Sequence, residues 1–121
     1  MRVEELFTAL LTEFPTLAEA GKIFFDHIEV QDGDELAPPY IVLTETEQDP
    51  FFADDTVFYL TIKHTIEIYT VLYDAVMLDK VERFLNGLKV PFTSNVEWLE
   101  DLSAYCSSFE VELDKSEVEE S

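Results

Sequence analysis

The side chains in this sequence best suited to chemistry are carboxylates, several of which stand in close pairs. Two of these pairs are Glu45 with Glu47 and Asp54 with Asp55. Glycosidase-type catalysis needs two carboxylates held in a cleft, with the pKa of one raised by its surroundings. The pairs here lie in polar stretches typical of solvated acids. The sequence therefore predicts no catalytic residue and no enzyme activity.

The two histidines, His27 and His64, offer little for a metal ion. A zinc site takes three or four ligands, and only Asp26 and Glu29 accompany His27. His64 falls on the apolar face of a predicted strand, which favours a hydrogen-bonded core histidine. The run 32–35 (DGDE) lacks the ligand spacing of an EF-hand loop and is predicted as a turn. With three glycines in the chain, a phosphate-binding loop of the usual form is excluded. We expect no metal and no cofactor.

Cys106 is the one cysteine, so the chain forms no internal disulfide, which fits a reducing cytoplasm. No histidine or basic residue stands near it in sequence, and we expect an inert, partly buried thiol. Glu4 and Glu5 occupy positions where a signal peptide carries positive charge. No apolar run reaches the roughly 18 residues of a membrane span. We expect a protein that stays in the cytoplasm unless it leaves within a particle, with no membrane partner.

Charge is the most unusual property of the chain. Its 121 residues include 27 Asp and Glu against 7 Lys and Arg, for a formal net charge of −20. Such a surface repels nucleic-acid phosphates and anionic lipid heads, which argues against direct binding to either. Hydrophobic residues make up 47% of the sequence, which is ample for one packed core. On composition alone, the charge could also serve only solubility.

Hydrophobic periodicity predicts the elements that position these side chains. Apolar residues recur at helical spacing over two segments, 3–14 and 75–88. Alternation and β-branched or aromatic content predict strands in five segments: 22–30, 40–46, 56–72, 91–97 and 103–113. The segment 56–72 is predicted as one long strand or as two strands broken by a bulge. Residues 16–21 are predicted as a turn, and residues 48–55 as a loop that carries Phe51 and Phe52.

Strands grouped together with two amphipathic helices indicate an α+β fold. We expect one mainly antiparallel β-sheet with two α-helices packed on one face. Residues 1–113 are predicted to form this single domain. Residues 114–121 are acidic and without periodicity, which predicts a disordered tail.

Four short segments follow one another in a distinctive order: 39–43 (PYIVL), 51–55 (FFADD), 66–70 (IEIYT) and 79–85 (DKVERFL). In this order they resemble tail-completion proteins of siphophages that infect Gram-positive bacteria. Proteins of that family carry the similar motifs PYIVY, FxAD and ELYT, followed by a helix of the type xxExxIExxL. The resemblance covers roughly residues 1 to 113. The chain departs from the family at 72–74 (LYD), where relatives tend to have a Lys-Asp pair, and in its acidic tail.

The resemblance implies a structural protein of the virion, located in the tail or neck and made in the cytoplasm of the bacterial host. Members of the family are subunits of a ring, commonly six-fold, at the head-proximal end of the tail or in the neck. The implied partners are other copies of the chain, the phage connector or neck proteins and the major tail protein. The resemblance does not distinguish a tail terminator from a head–tail joining protein.

Two surface hypotheses follow from this role. Phe51 and Phe52, with the adjoining Asp54 and Asp55, are predicted to contact a neighbouring subunit or the connector, because loop aromatics are common interface anchors. Folding back over the core is the alternative. Residues 23–62 contain ten acids and no Lys or Arg, and an acidic lumen would repel DNA. The acids predicted to line a lumen or a partner face are Asp32, Asp34, Glu35, Glu45, Glu47 and Asp49; an ordinary solvated face is the alternative.

Two rival functions fit the composition. An acidic DNA mimic would bind a DNA-handling enzyme and carry carboxylates spaced like phosphates, whereas a tail-completion protein assembles into a ring. A small hydrolase would instead show a deep pocket with perturbed carboxylates.

Overall fold

The computed structural model describes residues 1–28, 36–53 and 56–114, with the backbone alone described for 46–53, 56–61 and 114. The elements in chain order are α1 (Val3–Glu13), α2 (Pro15–Glu19), β1 (Ile23–Phe25), β2 (Tyr40–Ala53), β3 (Thr56–Thr70), α3 (Ala75–Gly87), β4 (Phe92–Leu99) and β5 (Ala104–Asp114). The five strands form one sheet in the order β1-β2-β3-β5-β4. β1 runs parallel to β2, and the other neighbouring pairs are antiparallel. The predicted α+β fold is confirmed.

The helices α1 and α3 form where apolar residues recur every three or four positions. Leu6 and Leu10 of α1 are fully buried, as are two residues of α3, Val81 and Leu85. The α3 N-terminus is capped by Asp74, whose Oδ1 accepts the backbone N–H of Met77 at 3.0 Å. The predicted helices are therefore confirmed, and each buries one stripe against the sheet.

One face of the sheet carries the main core. Alternate strand residues meet the helices there, and their buried side chains include Ile41, Leu43, Ile66, Ile68, Phe109, Val111 and Leu113. His64 lies in the same alternation, is 2% exposed, and its Nδ1 stands 3.3 Å from the carbonyl oxygen of Ile62. The predicted core histidine is confirmed. Burial lowers the pKa of His64, while the carboxylates of Glu45 and Glu4 oppose that shift.

Three local predictions are wrong for identifiable reasons. Residues 16–21 are not simply a turn, because Pro15 opens the short helix α2, a position where the absent N–H of proline costs nothing. The strand predicted over 22–30 ends at Phe25, where Asp26 adopts a left-handed backbone with φ of 77°. The loop predicted over 48–55 is strand as far as Ala53, so Phe51 and Phe52 lie in β2.

β5 extends to Asp114, the last residue of the chain that the structure describes. The domain end predicted at residue 113 stays a prediction. Residues 115–121 lie outside the described part of the chain, so the disordered tail stays a prediction.

Candidate functional site

The β2–β3 hairpin extends beyond the rest of the sheet. β1 pairs only with residues 41–43 of β2, and β5 pairs with β3 only from Thr61 onward. Residues 50–53 and 56–60, here named the hairpin arm, therefore pair with each other and with no other strand in the described part of the chain. The arm reads PFFA and TVFYL, with no charged residue. An isolated two-stranded hairpin is only marginally stable in water, so we expect the arm to be stabilised by contact with a partner.

The register of the arm places two of the predicted interface residues. Phe51 lies opposite Tyr59, and Phe52 lies opposite Val57 after a shift in register. Asp54 and Asp55 lie outside the described residues. Sequence reasoning assigned Phe51 and Phe52 to a loop because Pro50 and the acids around them resemble turn sequence. Proline is tolerated at an edge, and beyond residue 43 the outer side of β2 is an edge in the described part of the chain.

On the sheet face opposite the helices, acids line the part formed by β3, β5 and β4, while Phe24, Tyr40 and Val42 are buried on the β1–β2 side. The residues of β4 and β5 that alternate away from the core include Glu97, Glu110 and Glu112, all exposed. Glu67 of β3 lies on the same face, opposite Ser108. Lys63, opposite Glu112, is the one cation at the described positions of β3, β4 and β5. We name these four glutamates the open acidic face.

Two of the acids predicted from the sequence share this face by register: Glu47 lies opposite Lys63, the partner of Glu112, and Asp49 lies opposite Thr61. Glu45 is exposed and lies opposite His64, on the side of the helices. A bulge between Glu45 and Glu47 shifts the register there. Three further predicted acids, Asp32, Asp34 and Glu35, lie outside the described part of the chain.

Sequence reasoning did not nominate the open acidic face, although the signal was present. Alternation in β5 separates Ser107, Phe109 and Val111 from Glu110 and Glu112, which must then share one face. The pairing of β3, β4 and β5 was needed to bring Glu67 and Glu97 beside them.

Beside these acids, the open face carries a patch of aromatic and thiol side chains. The rings of Tyr40 and Tyr69 stack with centroids 4.6 Å apart, and the Tyr69 hydroxyl donates to Oε1 of Glu67 at 2.9 Å. Burial, together with this carboxylate, raises the pKa of Tyr69. Cys106 is 6% exposed, and burial raises the pKa of its thiol. The predicted unreactive, buried thiol is consistent with these surroundings.

The outermost strand, β4, is an edge with exposed side chains on both faces. Only its first residue, Phe92, and its last, Leu99, are partly buried, while Val96 is 38% and Trp98 48% exposed. The Trp98 ring meets that of Tyr105 at 5.0 Å, and Tyr105 meets Tyr73 at 6.2 Å. This aromatic cluster lies at the end of the sheet where α3 begins. Exposed aromatics grouped in this way are typical of protein interfaces.

Among the described residues, a hollow of about 200 Å³ beside the start of β4 contains Lys63, Glu110 and Glu112. Both carboxylates are exposed, whereas a carboxylic acid kept protonated for catalysis is shielded from water. Among residues 1–28, 36–53 and 56–114, no three His, Cys, Asp or Glu side chains are grouped to hold a metal ion. No helix among the described residues is long and apolar enough to cross a membrane.

Comparison with solved structures shows a likeness in fold. The structure is similar to a chain from the virion of a native gene transfer agent particle, with a TM-score of 0.58 and 12% sequence identity. The two chains share a fold. The alignment covers 90% of this chain and 94% of the other. No protein-family model and no curated protein sequence matches the chain, and the resemblance to one particular phage family stays a prediction.

Proposed function

We propose that the chain is a structural protein of a phage-type virion. It acts as a ring-forming subunit, commonly six-fold, at the head–tail junction or the head-proximal end of the tail. The observation that carries this proposal is the shared fold with a virion chain, which extends over 90% of this chain and 94% of the other. The order of the segments 39–43, 51–55, 66–70 and 79–85 supports it independently.

The charge of the molecule suits this position. DNA passes through the head–tail junction, and a lumen that attracted phosphates would retard it. The open acidic face presents Glu67, Glu97, Glu110 and Glu112 on a rigid sheet. We propose that this face, together with some of the acids at 23–62, lines the lumen or faces a partner. The hairpin arm, with Phe51 and Phe52, is the proposed contact with a neighbouring subunit or the connector.

Deleting the gene in its phage or prophage tests the proposed role. We expect electron microscopy of the lysate to show DNA-filled heads separate from tails, and complementation with the native gene to restore joined particles. Overlong tails would identify a tail terminator, and free tails of normal length a joining protein. Intact, infectious virions from the deletion would contradict the proposal.

The position of the acids can be tested in the same complementation assay. Glu110→Gln with Glu112→Gln removes two charges from the open acidic face, and Glu13→Gln with Glu19→Gln removes two from the helical side. We expect the first pair alone to slow DNA ejection or reduce assembly. Equal behaviour of the two double variants would contradict a lumen or partner role for this face.

The DNA-mimic function remains the second candidate because the open acidic face carries four glutamates near one another. A mimic predicts that the purified chain binds a DNA-handling enzyme of the host and competes with duplex DNA. It also predicts that the deletion leaves particle morphology unchanged. The deletion experiment therefore separates the two functions directly.

A further inference from the structure

Among the described residues, two strand edges carry few of the features that prevent edges from pairing with other chains. Natural edge strands are protected by charged residues, prolines, bulges or very short length. β1, at one side of the sheet, is only three residues long. β4, at the other side, has eight residues that pair with β5 without any shift in register. Its sequence, FTSNVEWL, holds no proline and one charge, Glu97.

The second unprotected edge is on the hairpin arm. Its β2 strand contains Pro50, which has no N–H to donate, and follows Glu47 and Asp49. Its β3 strand, residues 56–60, reads TVFYL and has neither proline nor charge. In the described part of the chain, β5 pairs with β3 only from Thr61 onward. The outer side of 56–60 therefore has backbone donors and acceptors without a strand partner among the described residues.

We infer that these two edges pair between copies of the chain, with residues 56–60 of one copy added as a strand to the outer side of β4 of the next. This inference rests on the proposed ring and names the surfaces that form it. The two edges are different surfaces, so the contact is heterologous, the kind that closes into a ring. The sheet then continues from subunit to subunit.

The charge distribution favours a second copy of this chain as the partner. At a net charge of −20, copies repel one another wherever acidic surfaces meet. β4 contains one acid, Glu97, and residues 56–60 contain no charge. Joining β4 to 56–60 therefore brings only one acid into the contact. Val96 and Trp98, which are exposed in the single copy, supply apolar contacts to the added strand.

Thiol cross-linking tests this contact in a background where Cys106 is replaced by serine. Asn95→Cys marks the exposed middle of β4, and Val57→Cys marks the arm. The chain with both substitutions, treated with a short bis-maleimide, should form a ladder of covalent multimers on a denaturing gel. A mixture of the two single variants should stop at dimers, and each single variant alone should stay monomeric. The measurement is made on particles assembled in the host and on the purified chain near 1 M salt, where the screening length is about 3 Å.

A matched pair of substitutions separates the β4 edge from general charge effects. Val96→Glu adds a charge to the β4 edge, and Val76→Glu adds the same charge at the exposed start of α3. We expect the first to reduce the multimer ladder at least about tenfold and the second to leave it unchanged, with both variants folded by circular dichroism.

Three results would overturn the inference. Dimers from Asn95→Cys alone would show that two β4 edges meet each other. If the double-cysteine variant forms no multimers either in particles or in solution, the contact does not form. Equal loss of the multimers with Val96→Glu and Val76→Glu would show that added negative charge disrupts assembly wherever it lies, and not through the β4 edge. If the gene deletion separates heads from tails but the double-cysteine variant forms no multimers, the inferred contact is wrong and the proposed function stands. If the double-cysteine variant forms multimers but the gene deletion leaves virions intact and infectious, the contact stands and the proposed function is wrong.

Discussion

Truncating Leu85 tests whether α3 is held to the sheet as the structure shows. Leu85 is fully buried in the main core and is one of two completely buried residues on α3, the other being Val81. Replacing a buried leucine by alanine loses the transfer free energy of the removed methyl groups and leaves a cavity, at a cost of roughly 2–5 kcal/mol. The cavity here is bordered by a hydrogen-bonded sheet, which resists collapse. We therefore expect Leu85→Ala to lower the free energy of unfolding by about 3 kcal/mol.

Leu72→Ala is the matched control. Leu72 follows β3 and is 74% exposed, so the same chemical change there should alter the free energy of unfolding by less than about 0.5 kcal/mol. Urea denaturation followed by circular dichroism measures both variants. With a denaturant slope of roughly 1–3 kcal/mol per molar, the Leu85 variant should unfold at least about 1 M earlier. Similar midpoints for the two variants would refute the packing of α3 described above.

Three further predictions concern single side chains. Burial lowers the pKa of His64 below the ordinary histidine value of 6.5. Its contribution to the free energy of unfolding is therefore fully present above pH 6.5 and is lost as the pH falls from there towards the lowered pKa. His64→Gln should flatten this decline in pH-dependent denaturation, and an unchanged slope would assign the titration to other groups. Asp74→Ala removes the acceptor of the Met77 N–H and should cost about 1 kcal/mol in urea denaturation, whereas the exposed Asp79→Ala should cost less than about half of that. Cys106, buried and with a raised thiol pKa, should react with iodoacetamide far more slowly in the folded chain than in urea; equal rates would contradict its burial.

Much of the fold follows from local patterns in the sequence. α1, α3, β3 and β5 have long apolar periods of 3.6 or 2 residues, and each element lies within a residue or two of its predicted bounds. The errors arise where pairing or backbone geometry decides. β2 extends to Ala53 because its partner strand extends equally far in the opposite direction. β1 ends early because Asp26 leaves the extended region.

The candidate surfaces were less accessible from sequence than the fold. Phe51 and Phe52 stand out in the sequence as adjacent phenylalanines near acids, but the sequence did not predict that they lie in a strand, and their role at an interface stays a prediction. The open acidic face required the strand order β3-β5-β4, which no local pattern encodes. The β4 edge was equally hidden, because a strand becomes an edge only once its neighbours are known. Surfaces made by several strands depend on tertiary pairing and not on spacing along the chain.

Locating the chain on finished particles tests the central claim most directly. Purified virions carrying a small epitope tag after Ser121 can be labelled with antibody-bound gold and imaged by electron microscopy. The proposed function predicts gold at one position per particle, at the junction of head and tail. Label scattered along the tail or over the head, or absence of the chain from purified virions that remain infectious, would contradict it.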